Sequence, residues 1–288
     1  MTADLETLVV AAYVFACELR APRLLGRPPQ VSEEELIALA VCQAVTGICS
    51  DRQFLGIVAK LLPGFFPRLP SQSQYNRRLR KLTPKLVWVQ QRLSELLATG
   101  ALRLADGTLV GVANYAGCAQ KSEFAGLAAY GYCPAKSRFY WGVRLVLLTD
   151  RLGLPLGYTL CPANEKEYEP VRELSTSQAG MTLICDKGLW GREYAETLRL
   201  QGIVIRTPER RRTTDNERSQ RGLARMRLVV ESTIANLKCQ MRLEQHLAKT
   251  PTGLVQRIAQ RLLALTLGML INALTSRPPR ALVAYDGR

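Results

Sequence analysis

A chain of 288 residues has room for one large domain or two smaller ones, with ample core. Lys and Arg number 39 against 24 Asp and Glu, a formal net charge of +15 with a single histidine. The excess is therefore permanent and not a pH switch, and it points to a polyanionic partner, most often nucleic acid. Eight scattered cysteines without a Cys-x-x-Cys, and a His246 without a cysteine pair in zinc-ligand spacing, exclude a zinc finger and suit reduced thiols in a cytoplasmic protein.

The chain begins Met1-Thr2-Ala3-Asp4-Leu5-Glu6, an acidic start unlike a signal peptide. Up to about residue 98 the pattern is helical. Ser32-Glu33-Glu34-Glu35 is a capping box ahead of the apolar run Leu36 to Val41, and Gly47 can end that helix. Pro63, Pro67 and Pro70 mark a loop. Ser71 to Leu82 then predicts a short helix carrying Arg77, Arg78, Arg80 and Lys81, and Thr83-Pro84 opens another that Thr99-Gly100 closes. An arginine-rich helix joined to a second by a tight turn is compatible with a helix-turn-helix, and equally with the solvated basic face of a bundle.

From Ala101 the period changes. Ala101 to Val110 predicts a strand on which Leu102, Leu104, Asp106 and Thr108 share one face. A polar, glycine-containing insertion follows to about Arg138. Phe139 to Thr149 and Leu154 to Cys161 are β-rich runs, with Asp150-Arg151-Leu152-Gly153 as the hairpin turn between them. A helix begins near Glu165. Met181 to Asp186 is a short apolar run ending in a carboxylate, the place where open α/β sheets put ligand chemistry, although Asp186 can also simply cap the helix from Arg192 to Leu200. Ile203 to Ile205 is a last strand, giving a mixed α/β sheet in the order β-β-β-α-β-α-β.

Thr207 to Arg225 holds Arg210, Arg211, Arg212, Arg218, Arg221 and Arg225 and almost no large apolar residue, so it is expected to be a mobile basic loop. Met226 to Arg242 is helical. Thr250-Pro251 starts a last helix to about Leu274, expected to pack on the α/β region, and the tail from Ser276, with Pro278 and Pro279, is expected to be loose. The most apolar segment, Leu262 to Leu274, is short for a bilayer and contains Asn272, so no membrane is expected.

Within the helix after the basic loop, Arg227 and Glu231 are four residues apart and share a face, and Lys238 lies two turns further along it. A surface salt bridge and a solvated lysine would read the same way. What gives the glutamate weight is company: Asp106, Asp186 and Glu231 lie on three separate elements of one basic chain. Mg²⁺ takes a few carboxylates plus water and phosphate, and two such ions about 3.5–4 Å apart can activate a hydroxyl and stabilise the leaving oxygen of a phosphodiester.

The pattern Asp106-Gly107-Thr108, Gly131-Tyr132-Cys133-Pro134-Ala135-Lys136-Ser137-Arg138-Phe139-Tyr140-Trp141-Gly142, Asp186-Lys187-Gly188 and Arg227-x3-Glu231-x6-Lys238 resembles the bacterial insertion-sequence transposases of the DDE superfamily, from about Gly26 to Leu274. The resemblance implies an RNase H-like catalytic domain with an N-terminal helical domain and a C-terminal helix. It implies that Asp106, Asp186 and Glu231 hold Mg²⁺, with Mn²⁺ able to substitute, and that Lys238 and Arg227 contact DNA near the reacting phosphate. The expected layout is a helical, DNA-binding domain over 1–98, in which Arg77, Arg78, Arg80 and Lys81 touch DNA as Arg210, Arg211 and Arg212 do in the loop 207–225. The catalytic domain is expected over 99–245, and the C-terminal helix and tail over 246–288. The partners implied are double-stranded terminal inverted repeats, target DNA and a second copy of the chain. One departure is Ala224, where the wider superfamily often has a tyrosine three residues before the arginine. The alternatives are an RNase H-like nuclease that does not join strands and a transposase-derived DNA-binding protein whose chemistry has lapsed.

Overall fold

Capping side chains set the helix starts in the first of two units. The computed structural model describes residues 2–18, 29–113, 119, 122–133, 137–166, 168–175, 180–185, 192–207 and 217–287. The chain divides into Met1–Leu96 with Ala235–Arg288, and Leu97–Ile234. Ser32 caps α2 (Glu33–Val45) reciprocally: its Oγ accepts from the Glu35 N–H at 3.0 Å, and Glu35 Oε2 accepts from the Ser32 N–H at 2.6 Å. Ser50 caps α3 (Asp51–Leu61), and a second capping box from Ser71 and Gln74 opens α4 (Gln72–Lys81). With α1 (Thr2–Glu18) and α5 (Thr83–Leu97) these make the N-terminal helices. α2 is buried from Leu36 to Val45 and packs against α1 and α9 (Pro251–Leu274). Past its end, Gly47 has φ 65°, and a Cβ there would lie 2.5 Å from the Gln240 carbonyl oxygen, so both conformation and close approach require glycine. α4 and α5 are separated by Leu82 alone, too short a break for the turn of three or four residues in a helix-turn-helix.

The last helix has the expected bounds but departs from expectation in place. α9 runs for 24 residues, long and apolar enough by composition to cross a membrane, but 89% of its most apolar window is buried inside the protein. It belongs to the helical unit with the N-terminal helices. The reason is its surface: Ile258 to Met269 is buried without a break, and a helix buried all round needs neighbours all round. The tail is not loose either. Asn272 Nδ2 donates to the carbonyls of Pro278, Pro279 and Ala281 at 3.2, 3.1 and 3.2 Å, and the Tyr285 hydroxyl donates to Asn272 Oδ1 at 2.7 Å. Leu282 and Tyr285 are buried. The prolines that read as a loose end supply carbonyls to a buried amide.

The second unit is built on a six-stranded mixed sheet. β1 (Leu102–Ala113) lies antiparallel to β3 (Arg138–Asp150) and parallel to β5 (Thr182–Ile184), which is parallel to β6 (Val204–Arg206). β2 (Ala129–Cys133) and β4 (Pro155–Pro162) pair with successive halves of β3. The sequence read residues 129–133 as part of an insertion; they are a strand, because Tyr130 and Tyr132 sit directly opposite Trp141 and Phe139 and pack across the ladder. Gly142 is where β1, β2 and β3 crowd: a Cβ there would lie 2.3 Å from the Val110 carbonyl oxygen. α6 (Tyr168–Ser175) and α7 (Arg192–Leu200) contribute Val171 and Leu198 to a core with Ala105, Val146, Leu148, Leu183 and Ile203. α8 (Glu217–Cys239) is tied to the β3–β4 turn by Thr233 Oγ1, which donates to the Gly153 carbonyl at 3.0 Å. α8 starts nine residues before the expected Met226. Glu217, Arg218, Gln220, Arg221 and Ala224 are good helix formers, and a run of charge without apolar residues does not by itself oppose a helix. The rest of the expected loop, 208–216, with Arg210, Arg211 and Arg212, lies outside the described residues.

Candidate active site

Strand alternation aims Asp106. Ala105 faces the core shared with α6 and α7, so Leu104, Asp106 and Thr108 face the other way. Leu104 and Thr108 are buried, and Asp106 between them is half-buried, its Oδ1 accepting from the Gly107 N–H at 2.9 Å. β1 pairs with β3 at Asp106, which is opposite Leu147, and with β5 up to Leu104, which is opposite Ile184. Asp106 therefore stands on rigid backbone at the carboxyl end of a parallel strand pair. Beyond it, Cys185 is buried and its N–H donates to the Arg206 carbonyl at 3.4 Å. Asp186 lies outside the described residues.

Glu231 is on α8 in the same unit, with Val230, Thr233 and Ile234 turned inward beside it. Arg227 Nη2 lies 3.4 Å from Glu231 Oε1, one helical turn away, with side chains 30% and 44% exposed. A pair this open is worth about 0–1 kcal/mol, so either partner is readily released to another ligand. Among the described residues no group of three or more His, Cys, Asp or Glu is placed to hold a metal ion.

A family model described as a transposase DDE domain matches residues 98–249, just over half of the chain and the stretch that carries Asp106, Asp186 and Glu231. The chain belongs to that DDE transposase family. A search of curated proteins finds no match. Among solved structures, the chain is similar to one described as a cryo-EM structure of piggyBac transposase synaptic complex with hairpin DNA, with a TM-score of 0.48 and 9% identity over 98% of this chain and 75% of that one.

Transposases of this family act on DNA and generally use divalent metal ions. The donor set suits a hard cation. All three candidate ligands are carboxylates, and the one histidine of the chain is engaged elsewhere: His246 is buried and its Nδ1 accepts from the Ala248 N–H at 3.0 Å.

The basic residues of the transposase are disposed unevenly. Arg77, Arg80 and Lys81 on α4 are exposed, whereas Arg78 is half-buried. Burial pulls the Arg78 guanidinium below its ordinary value, while Glu33 and Glu35 at the start of α2 oppose the shift. Lys238 Nζ sits 3.1 Å from Glu244, a carboxylate that competes with any phosphate for it.

A buried polar cluster in the helical unit went unnoticed in the sequence. Arg257 Nη2 lies 2.6 Å from Asp51 Oδ1, Gln43 Nε2 donates to the same oxygen at 2.9 Å, and Asn76 Nδ2 donates to Asp51 Oδ2 at 3.0 Å. The Tyr75 hydroxyl and Arg257 Nη1 donate to Gln43 Oε1 at 3.0 and 3.2 Å. Burial pushes the Asp51 carboxyl up, but Arg257 and the amides of Gln43 and Asn76 outweigh it and hold the group below the usual aspartate value. The signal available was Gln256-Arg257-x2-Gln260-Arg261: two polar pairs at four-residue spacing inside an apolar helix.

Proposed function

We propose that this protein is a DNA transposase that cleaves at the ends of a mobile element and joins them to target DNA. Asp106, Asp186 and Glu231 hold the Mg²⁺ ions, for which Mn²⁺ can substitute. The observation that carries the reading is a parallel register inside a matched transposase domain. Leu104 is level with Ile184; Asp106 follows Leu104 by two residues in β1, and Asp186 follows Ile184 by two residues in the sequence. Equal sequence offsets from a paired position support the reading that the two carboxylates serve one site. Glu231 is the third donor, released from its weak pair with Arg227.

When bound, the ions activate the attacking oxygen and stabilise the leaving oxygen of the phosphodiester. The residues of the chain do the rest. The β1 carboxylate stands on a strand paired with β3 at its own level and with β5 up to two residues before it. Arg227 and Lys238, on the helical face of Glu231, bind phosphate oxygens and hold the scissile linkage. A water first frees a 3′-hydroxyl at the element end, with the bond from phosphorus to the leaving oxygen breaking. That hydroxyl then attacks a target phosphodiester and displaces a strand end. A second copy of the chain, bound to the other terminal inverted repeat, completes the assembly. A bacterial insertion sequence is the source that fits the motif pattern, and the cytoplasm is the compartment.

The test separates binding from chemistry. Asp106→Asn, Asp186→Asn and Glu231→Gln should each bind element-end DNA as well as wild type. Each should lose cleavage and joining by roughly a thousandfold or more, about 4 kcal/mol of barrier. EDTA should reproduce that loss in wild type, and Mg²⁺ or Mn²⁺ should restore wild type only. Asp186→Asn cleaving at the wild-type rate would return Asp186 to the role of a helix cap. Cleavage without joining in wild type would identify a nuclease.

A further inference from the structure

The helical unit contains a polar cavity of about 410 Å³ lined by residues of α3, α4, α9 and the loop before α9. Its size falls in the range of small-ligand sites, about 300–1,000 Å³. Three of its lining side chains are cations, Arg80, Lys249 and Arg257, and one is a carboxylate, Asp51. That carboxylate does not repel an anion as a bare one would. One of its oxygens is taken by Arg257 and Gln43 and the other by Asn76. The Asp51–Arg257 pair is thus a neutral, fixed floor, and the charge offered to a ligand is that of Arg80 and Lys249.

Those two residues are exposed, and neither has a carboxylate within ion-pair distance among the described residues. Elsewhere in the same unit Lys85 holds Glu33, Arg92 holds Glu95 and Lys238 holds Glu244. The rest of the lining is rich in hydrogen-bond donors: Ser50, Gln72, Asn76, Thr250 and Gln256. The first turns of α3, α4 and α9 open at the same cavity, and each adds the positive end of a helix. Two permanent cations with several neutral donors around them match a tetrahedral oxyanion carrying several acceptor oxygens. A flat carboxylate would leave most of those donors unused.

We propose that this cavity binds a phosphoryl group through Arg80 and Lys249, with Gln72, Asn76 and Thr250 as hydrogen-bond donors. The phosphoryl group belongs either to a DNA backbone or to a free phosphate compound. Every residue that lines the site is in the helical unit.

The experiment uses the full chain and inorganic phosphate as probe, titrated against chloride at equal ionic strength and followed by thermal shift and calorimetry. Phosphate should stabilise wild type, and Arg80→Gln and Lys249→Gln should each weaken its binding by tenfold or more. Lys60→Gln, an exposed α3 lysine outside the cavity, should leave it unchanged. Circular dichroism should report the same fold for all three. A second arm repeats the titration with duplex DNA bound. Loss of the phosphate response, with Lys249→Gln lowering the salt slope of DNA binding by about one, assigns the site to a backbone phosphate. An undiminished response assigns it to a free phosphate compound. Unchanged phosphate affinity in the Arg80→Gln/Lys249→Gln double variant, or equal weakening by Lys60→Gln, would overturn the proposal.

Discussion

Asp51 shows how one side chain can be costly alone and stabilising in company. A carboxylate that is 6% exposed would be strongly disfavoured without partners, yet Arg257, Gln43 and Asn76 satisfy both of its oxygens. Asp51→Ala leaves the Arg257 charge buried without its counter-ion, and the helical unit should lose about 3–5 kcal/mol. Hydrogen exchange at α2 and α9 amides reads this unit without assuming that the two units unfold together. The same carboxyl sets a pH dependence. Because folding lowers its value, its stabilisation is complete above the unfolded value of about 3.9 and is lost as pH falls through the lower folded value. Below about pH 4 the wild-type unit should therefore lose stability more steeply than Asp51→Asn does. Parallel acid-unfolding curves would contradict this account.

At the scale of elements, α8 decides how the glutamate is presented. It runs unbroken for 23 residues, so Arg227 and Glu231 keep their relative positions on one face while Thr233 anchors the opposite side to the β3–β4 turn. Its first turns include Gly222, beside which a Cβ would meet nothing within 4 Å. Gly222→Ala should stabilise the helix by roughly 0.5–1 kcal/mol and raise amide protection over 217–225. A loop over those residues, as their composition first implies, would instead show no gain and fast exchange. The charge of the stretch was legible in the sequence. Its helicity was harder to read, because a helix can be stabilised by a few apolar contacts at one end of its length.

For the whole molecule, charge sets the strength of DNA binding. A net charge of +15 has no compensating histidine titration, so affinity should fall steeply with salt, with a log–log slope of about −0.9 per phosphate neutralised. Replacing Arg77, Arg80 and Lys81 by glutamine should flatten that slope, because all three are exposed on α4. Arg78→Gln should change it less, because its guanidinium is half-buried near Glu33 and Glu35. Equal slopes for wild type and the triple variant would remove α4 from the DNA interface.

What the sequence determined by itself was local. The capping boxes at Ser32 and Ser71 fixed two helix starts, alternation fixed the face of Asp106, and the turn at Asp150 fixed the β3–β4 hairpin. Each of these is settled by hydrogen bonds or side-chain direction within a few residues, so a short window contains the cause. The tertiary structure alone decided which strands are neighbours, and so which residues of β5 lie level with β1. It decided that α9 joins helices more than 200 residues earlier, and that Arg257 meets Asp51 across a separation of 206 residues. Such choices depend on which buried faces and charges can be satisfied together, and that is a property of the folded chain, not of any window along it.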